Sequence, residues 1–151
     1  MSGDVILTGN SSNIGQTTVL GGSLAVNGSL AGPVSVGAGG TLAGSGSVGS
    51  TTLASGSTLS PGNSIGTLTV NGDLTFAPGS AYRVEAAPGS ADSDRVVVNG
   101  IARLAGSVLH VGPDGNFTPN ISYTILHANT IQGQFDSVAS NYDLMNDLMR
   151  G

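Results

Sequence analysis

Residues 21–61 read GGSLAVNGSLAGPVSVGAGGTLAGSGSVGSTTLASGSTLSP, and the spacing of their branched apolar residues decides the fold. Leu24, Leu30, Val36, Leu42, Val48, Leu53 and Leu59 return every five or six positions, and the series continues through Ile65, Val70, Phe76 and Tyr82. Every third member belongs to one of three ladders, 24/42/59, 30/48/65 and 36/53/70, whose rungs are almost evenly spaced. Short phrases recur with the same step: Gly-Gly-Ser-Leu ends at Leu24, Gly-Gly-Thr-Leu at Leu42 and Gly-Ser-Thr-Leu at Leu59. A Gly-rich linker has no reason to keep a register, so the chain is read as a repeat protein.

The unit is too short for helical repeats of roughly 33–47 residues or propeller blades of about 40–50. Between the ladder positions stand Gly, Ser, Asn, Ala and Pro, which form turns well and helices poorly. Apolar pairs two apart, such as Leu24/Val26, Val34/Val36, Leu68/Val70 and Leu74/Phe76, lie on one face of a strand. Three short strands and three corners fill one coil the length of a ladder step. Stacked at roughly 4.8 Å, such coils make a parallel β-helix, an all-β solenoid. One coil hides nothing by itself, because its strands pair only with the coils above and below. A period of roughly 20 residues predicts six to eight coils. Slips to a spacing of five at Leu53 and Val70 count against a strict hexapeptide. The alternative is a left-handed β-helix, whose hexapeptide pattern Leu24-Ala25, Leu30-Ala31 and Val36-Gly37 resemble.

Composition removes several function classes. The chain has 151 residues, 25 of them Gly, no Cys, and a net charge of −5 from 4 basic and 9 acidic side chains. All four basic residues are Arg, at 83, 95, 103 and 150, too scattered for a nucleic-acid surface. Without Cys there is no disulfide framework, thiol chemistry or Cys-ligated zinc. No apolar run approaches the roughly 20 residues of a membrane helix. The opening Met1-Ser2-Gly3-Asp4 lacks the positive and apolar regions of a secretory leader, so none is expected there.

The two halves differ. Residues 1–72 carry 17 of the Gly residues, one charge (Asp4) and no aromatic residue. Residues 73–151 carry the other twelve charges and all six aromatics, Phe76, Tyr82, Phe117, Tyr123, Phe135 and Tyr142. The expected organisation is a Gly/Ser-rich stem of coils over 1–72, sturdier coils with a capping module over 73–138, and a tail over 139–151. Leu144, Met145, Leu148 and Met149 give that tail an amphiphilic pattern suited to packing over an open end.

Candidate chemical sites are few. Asp92, Asp94 and Arg95 sit together before a strand, but the expected role is a turn cap with a surface ion pair rather than paired carboxylates for hydrolysis. The stem has no acid between Asp4 and Asp73, so successive coils do not bring carboxylates into register. Asp92-Ser93-Asp94 and Asp114-Gly115-Asn116 resemble fragments of calcium loops without the full pattern. His110 and His127 are each lone histidines, and Ser107, His110 and Asp114 form a triad by arithmetic only. Asn116-Phe117-Thr118 and Asn120-Ile121-Ser122 match glycosylation sequons. No enzyme is expected, and no residue is assigned to catalysis, a cofactor or a metal.

The run GGTLAGSGSVGSTTLASGSTLSPGNSIGTLTVNG (39–72) resembles the C-terminal passenger segment of bacterial autotransporters, the pertactin-like or autochaperone region. The likeness continues through DLTFAPGSAYRVEA (73–86), SDRVVVNGIARLAGSVLHV (93–111) and SYTILHANTIQGQFDSV (122–138), so that it spans about residues 22–138. Leu59-Ser-Pro-Gly-Asn-Ser-Ile-Gly66 and Gly133-Gln-Phe-Asp-Ser-Val138 are its most specific parts. The resemblance implies a right-handed β-helix with a C-terminal capping hairpin. It also implies export through an outer-membrane β-barrel of the same polypeptide, and display at the bacterial cell surface while tethered to the outer membrane. Residues 139–151 are too short to supply that barrel's strands. The expected function is a structural stem and intramolecular chaperone that starts folding during secretion. The alternative is an adhesin module that binds a host surface receptor or associates with itself through exposed coil edges.

Overall fold

The computed structural model describes residues 3–11, 15–61, 66–85, 94–111, 125–133 and 137–139. Every element among them is a strand. The first coil contains β1 (Asp4–Leu7), β2 (Asn10–Ser11) and β3 (Thr17–Val19). The second contains β4 (Gly22–Val26), β5 (Ser29–Leu30) and β6 (Val34–Val36). The third contains β7 (Gly40–Gly44), β8 (Ser47–Val48) and β9 (Thr51–Leu53). The fourth contains β10 (Thr58–Pro61), β11 (Thr67–Val70) and β12 (Leu74–Phe76). Thereafter the described residues give two strands per coil: β13 (Ala81–Glu85) with β14 (Arg95–Leu104), and β15 (Ser107–Val111) with β16 (Leu126–Gly133). Strand β17 (Ser137–Ala139) begins the next turn.

The strands stack as a parallel β-helix with three faces. The first face is the seven-stranded ladder β1-β4-β7-β10-β13-β15-β17. The other two run β2-β5-β8-β11 and β3-β6-β9-β12 and meet in β14, which pairs with β11 through Arg95–Val98 and with β12 through Ala102 and Arg103. The single long strand β14 therefore replaces two strands and a corner. A register shift against β16 between Val98 and Ile101 absorbs the bend at Asn99-Gly100. Every ladder among the described residues is parallel, so the expected capping hairpin is not seen among them.

Alternation within each strand sends one column of side chains into the bore. On the first face Val5, Leu24, Leu42, Leu59, Tyr82 and Val108 stand one above another. From Leu42 to Val108 the column has no accessible surface, and each aliphatic member contributes roughly 1.5–3 kcal/mol by burial. On the third face Val19, Val36, Leu53 and Phe76 form a second column. Thr51 falls between Val34 and Leu74 in a row that begins at Thr17, and its hydroxyl donates to the Gly49 carbonyl at 3.0 Å. That hydrogen bond is what lets a polar atom sit there.

The ladder 24/42/59 stands as the spacing predicts, but the other two need correction after their second rung. Val48 pairs with Val70, not with Ile65, and Leu53 pairs with Phe76, not with Val70. The cause is coil length. On the first face Asp4 pairs with Ser23, Gly22 with Gly40 and Thr41 with Thr58, a nearly constant step that shortens slightly from coil to coil. Thereafter Thr58 pairs with Ala81, Ala81 with Ser107 and Ser107 with Ser137, and each step is longer than the one before. Most of the added chain enters at one corner, after the first face. The connections there are 8–9, 27–28 and 45–46, followed by 62–66, 86–94 and 112–125. A constant period is therefore valid only up to Pro61.

Two corners show why glycine is so abundant. At the corner leading back to the first face, turns 37–40, 54–57 and 77–80 stack, each closed by a backbone hydrogen bond of 2.9–3.0 Å from its fourth residue to its first. The third positions are Gly39, Gly56 and Gly79 at φ +83°, +84° and +88°, as type II turns require, with Pro78 at the second position of the last. At the opposite corner the constraint is contact: a Cβ on Gly46 would lie 1.9 Å from the Gly28 carbonyl oxygen, and one on Gly28 2.0 Å from that of Gly9.

Candidate functional site

The outward positions of the stem carry hydroxyls and methyls and no charge beyond Asp4. Register places Thr18, Ser35, Thr52 and Thr75 in one column on the third face. On the second face Asn10, Ser29, Ser47 and Thr69 do the same. On the first face Ser23, Thr41 and Thr58 run beside Ala25, Ala43 and Ser60. These arrays offer hydrogen-bond donors and acceptors at a strand-stacking period and nothing that moves a proton at neutral pH.

Charge appears where the coils widen, and it is spent on the backbone. The Asp73 carboxylate accepts the amide hydrogen of Ile101 at 2.9 Å and lies 3.6 Å from the Arg103 guanidinium. Both side chains are nearly half exposed, so the ion pair itself contributes little. Asp94 is buried, and its carboxylate accepts the amide hydrogen of Gly66 at 3.0 Å, 28 residues back along the chain. Asp94 thus ties one coil to the next through the Gly66 amide. Among the described residues the ion pair is that of Arg103 with Asp73, and Arg95 is exposed at the start of β14. Asp92 lies outside the described residues.

Ser107 and His110 are on β15, and Ser107 is in register with Ala81 and Ser137. His127 is exposed on β16, opposite Val97. Asp114, Asn116, Asn120 and the tail from Leu144 to Met149 lie outside the described residues. Among the described residues no three His, Cys, Asp or Glu side chains form a group able to hold a metal ion.

The most distinctive polar site is internal. Tyr82 is fully buried and stacks on Phe76 with ring centroids 5.7 Å apart and planes inclined by 26°. Its hydroxyl donates to the main-chain carbonyl of Ile125. Burial, and secondarily the Asp94 carboxylate, push the phenol well above the ordinary tyrosine range, while the Val96 amide and Arg95 act in the opposite sense. Phe76, Tyr82, Asp94 and Ile125 thus join the fourth, fifth and sixth coils. The sequence marks Phe76 and Tyr82 as bulky core residues but carries no signal for the partner carbonyl. Asp73 escapes sequence reasoning because its function depends on which backbone amide lies above it.

No protein-family model matches the chain, and no curated protein matches it either.

Proposed function

We propose that the chain is the structural stem and intramolecular chaperone segment of an autotransporter passenger, displayed at the bacterial surface and tethered through an outer-membrane barrel of the same polypeptide. The observation that carries this reading is the change in core from N- to C-terminus. The cores of the first three coils are mostly Leu and Val, without an aromatic residue. The later ones add the Phe76–Tyr82 stack, the bond to Ile125, and the two carboxylates that fasten coil to coil. A solenoid folds by nucleation and propagation between neighbours. A segment that leaves a pore C-terminus first therefore benefits when its last coils are its most self-sufficient. Absence of Cys fits passage through an oxidising periplasm in an unfolded state. The right-handed winding is the one the resemblance implies.

The test places the chain ahead of an outer-membrane barrel and compares surface display with and without residues 73–138. Display of protease-resistant stem only when 73–138 is present supports the proposal; equal display of both overturns it. The uncharged hydroxyl columns favour adhesion as the second reading, which predicts saturable binding of the intact chain to host cells or glycans. Loss of that binding on changing Thr18, Thr52 and Thr75 together to Val would assign it to the third face.

A further inference from the structure

We infer that the corner at Asn71-Gly72 is a site of spontaneous covalent modification, where the Asn71 amide closes on the Gly72 nitrogen and water converts it to aspartate and isoaspartate. The chain contains three Asn-Gly pairs, Asn27-Gly28, Asn71-Gly72 and Asn99-Gly100, and glycine leaves the attacking nitrogen without a neighbouring Cβ. The reaction needs a backbone nitrogen not committed to a hydrogen bond, and a side-chain carbonyl whose oxygen can take up negative charge. The three pairs differ in both respects.

The Gly28 amide hydrogen is held by the Leu7 carbonyl at 3.1 Å, and Asn27 is half-buried. Gly100 lies within the continuous strand β14, which pairs with β11, β12 and β16. Gly72 lies between β11 and β12, and its amide hydrogen has no acceptor among the described residues. Its neighbours are fixed. The Asn71 amide donates to the Val48 carbonyl at 2.7 Å, and the Asp73 amide to the Ser50 hydroxyl at 3.2 Å. Asn71 is exposed to water, and its side-chain oxygen accepts a hydrogen bond from the Asn99 side-chain amide at 2.9 Å. That donor stands where charge develops when the Asn71 carbonyl is attacked. Among the described residues nothing donates to the side-chain oxygen of Asn99 itself. Asn71-Gly72 therefore unites an uncommitted nucleophile with a supported electrophile. Asn27, whose oxygen accepts the Ser45 amide at 3.2 Å, has only the second.

The Gly72 nitrogen gives its proton to hydroxide and bonds to Asn71 Cγ, while the carbonyl electron pair moves to Oδ1. Collapse of that anion breaks the Cγ–Nδ2 bond, and the nitrogen takes a proton from water and leaves as ammonia. Water then opens the cyclic imide. Attack at Cγ gives aspartate, and attack at the main-chain carbonyl carbon of residue 71 gives isoaspartate. One water is consumed, one ammonia is released, and nothing is oxidised or reduced. Either product adds a negative charge two residues before Asp73, where the nearly uncharged stem meets the charged coils. Isoaspartate also lengthens the main chain by one carbon at a corner with no slack, since a Cβ on Gly72 would lie 2.1 Å from the Ser50 hydroxyl. The inference uses only this corner and is independent of the secretory reading.

The test incubates the intact folded chain in neutral buffer made with heavy-oxygen water and follows each Asn-Gly peptide by mass spectrometry. Aspartate and isoaspartate carrying the label are expected at position 71 severalfold faster than at 27 or 99. Hydroxylamine added to the folded chain is expected to trap the imide and cut between Asn71 and Gly72. Asn99→Ala is expected to slow conversion at 71 severalfold in the folded chain and to leave it unchanged in urea; circular dichroism checks that the variant keeps its strands. Faster conversion at 27 or 99, equal rates at all three, or conversion at 71 in urea but not in the folded chain would each overturn the inference. An unchanged or faster rate at 71 in folded Asn99→Ala would overturn the part assigned to Asn99.

Discussion

Tyr82 donates its phenolic hydrogen to the carbonyl of Ile125, 43 residues further along the chain, from a ring with no accessible surface. The Ile125 carbonyl also accepts the Val96 amide hydrogen at 3.0 Å, so two donors of one coil meet at one oxygen of the next. Tyr82→Phe keeps the ring and the second donor, and is expected to cost about 0.5–1.5 kcal/mol in urea denaturation. Tyr82→Ala also opens a cavity beside Phe76 and is expected to cost about 3–5 kcal/mol. Equal losses for the two substitutions would refute the role assigned to ring packing.

The same phenol predicts an alkaline limit. Its ionisation is shifted upward in the folded chain, so folded and unfolded states hold equal numbers of Tyr82 protons below the ordinary tyrosine value of about 10. Above that pH the unfolded state releases the proton while the folded state retains it, and stability falls as pH rises. Denaturation midpoints measured across this range are expected to decline more steeply for the unmodified chain than for Tyr82→Phe. Parallel declines would remove Tyr82 as the cause.

Two glycines separate conformational demand from contact. Gly39 has φ +83° and open space where a Cβ would be, so Gly39→Ala is expected to cost about 1–2 kcal/mol from backbone strain alone. Gly46 has no such φ, but its Cβ would meet the Gly28 carbonyl at 1.9 Å, and backbone cannot swing aside as a side chain does. Gly46→Ala is expected to shift the coils apart and to lower the melting temperature well beyond the effect of Gly39→Ala. The reverse ranking would contradict the close stacking of that corner.

Carboxylates rank by what they hold. Arg103→Ala removes an exposed ion pair and is expected to change stability by less than about 0.5 kcal/mol. Asp73→Ala also removes the acceptor for the Ile101 amide and is expected to cost about 1 kcal/mol. Asp94→Ala strips a buried charged acceptor from Gly66 and is expected to cost about 1.5–3 kcal/mol. Chemical denaturation of the three variants side by side checks this order.

These residues also mark how far the fold is legible in the sequence. Leu24, Leu42 and Leu59 announce the solenoid because inward positions of a regular coil must be apolar and equally spaced. Ile65 and Val70 fall on the wrong rungs because spacing reports a rung only while the corners keep their length, and the connection at 62–66 breaks that constancy. Asp94 is readable as a polar turn residue from its type and neighbours, yet the amide of Gly66 that it accepts lies 28 positions away, a distance set by coil length and not by local sequence. Tyr82 is readable as core, but its link to Ile125 depends on the path of the chain across two coils.

Native-state hydrogen exchange of the intact chain tests most directly whether coils support one another in series, with the C-terminal ones strongest. Slowest exchange is expected at the amides of Val96, Val98, Ala102 and Leu104 in β14, with protection falling coil by coil toward Ile6 and Leu7. Uniform protection that vanishes in a single global step, or stronger protection in the first three coils than in β14, would contradict the account.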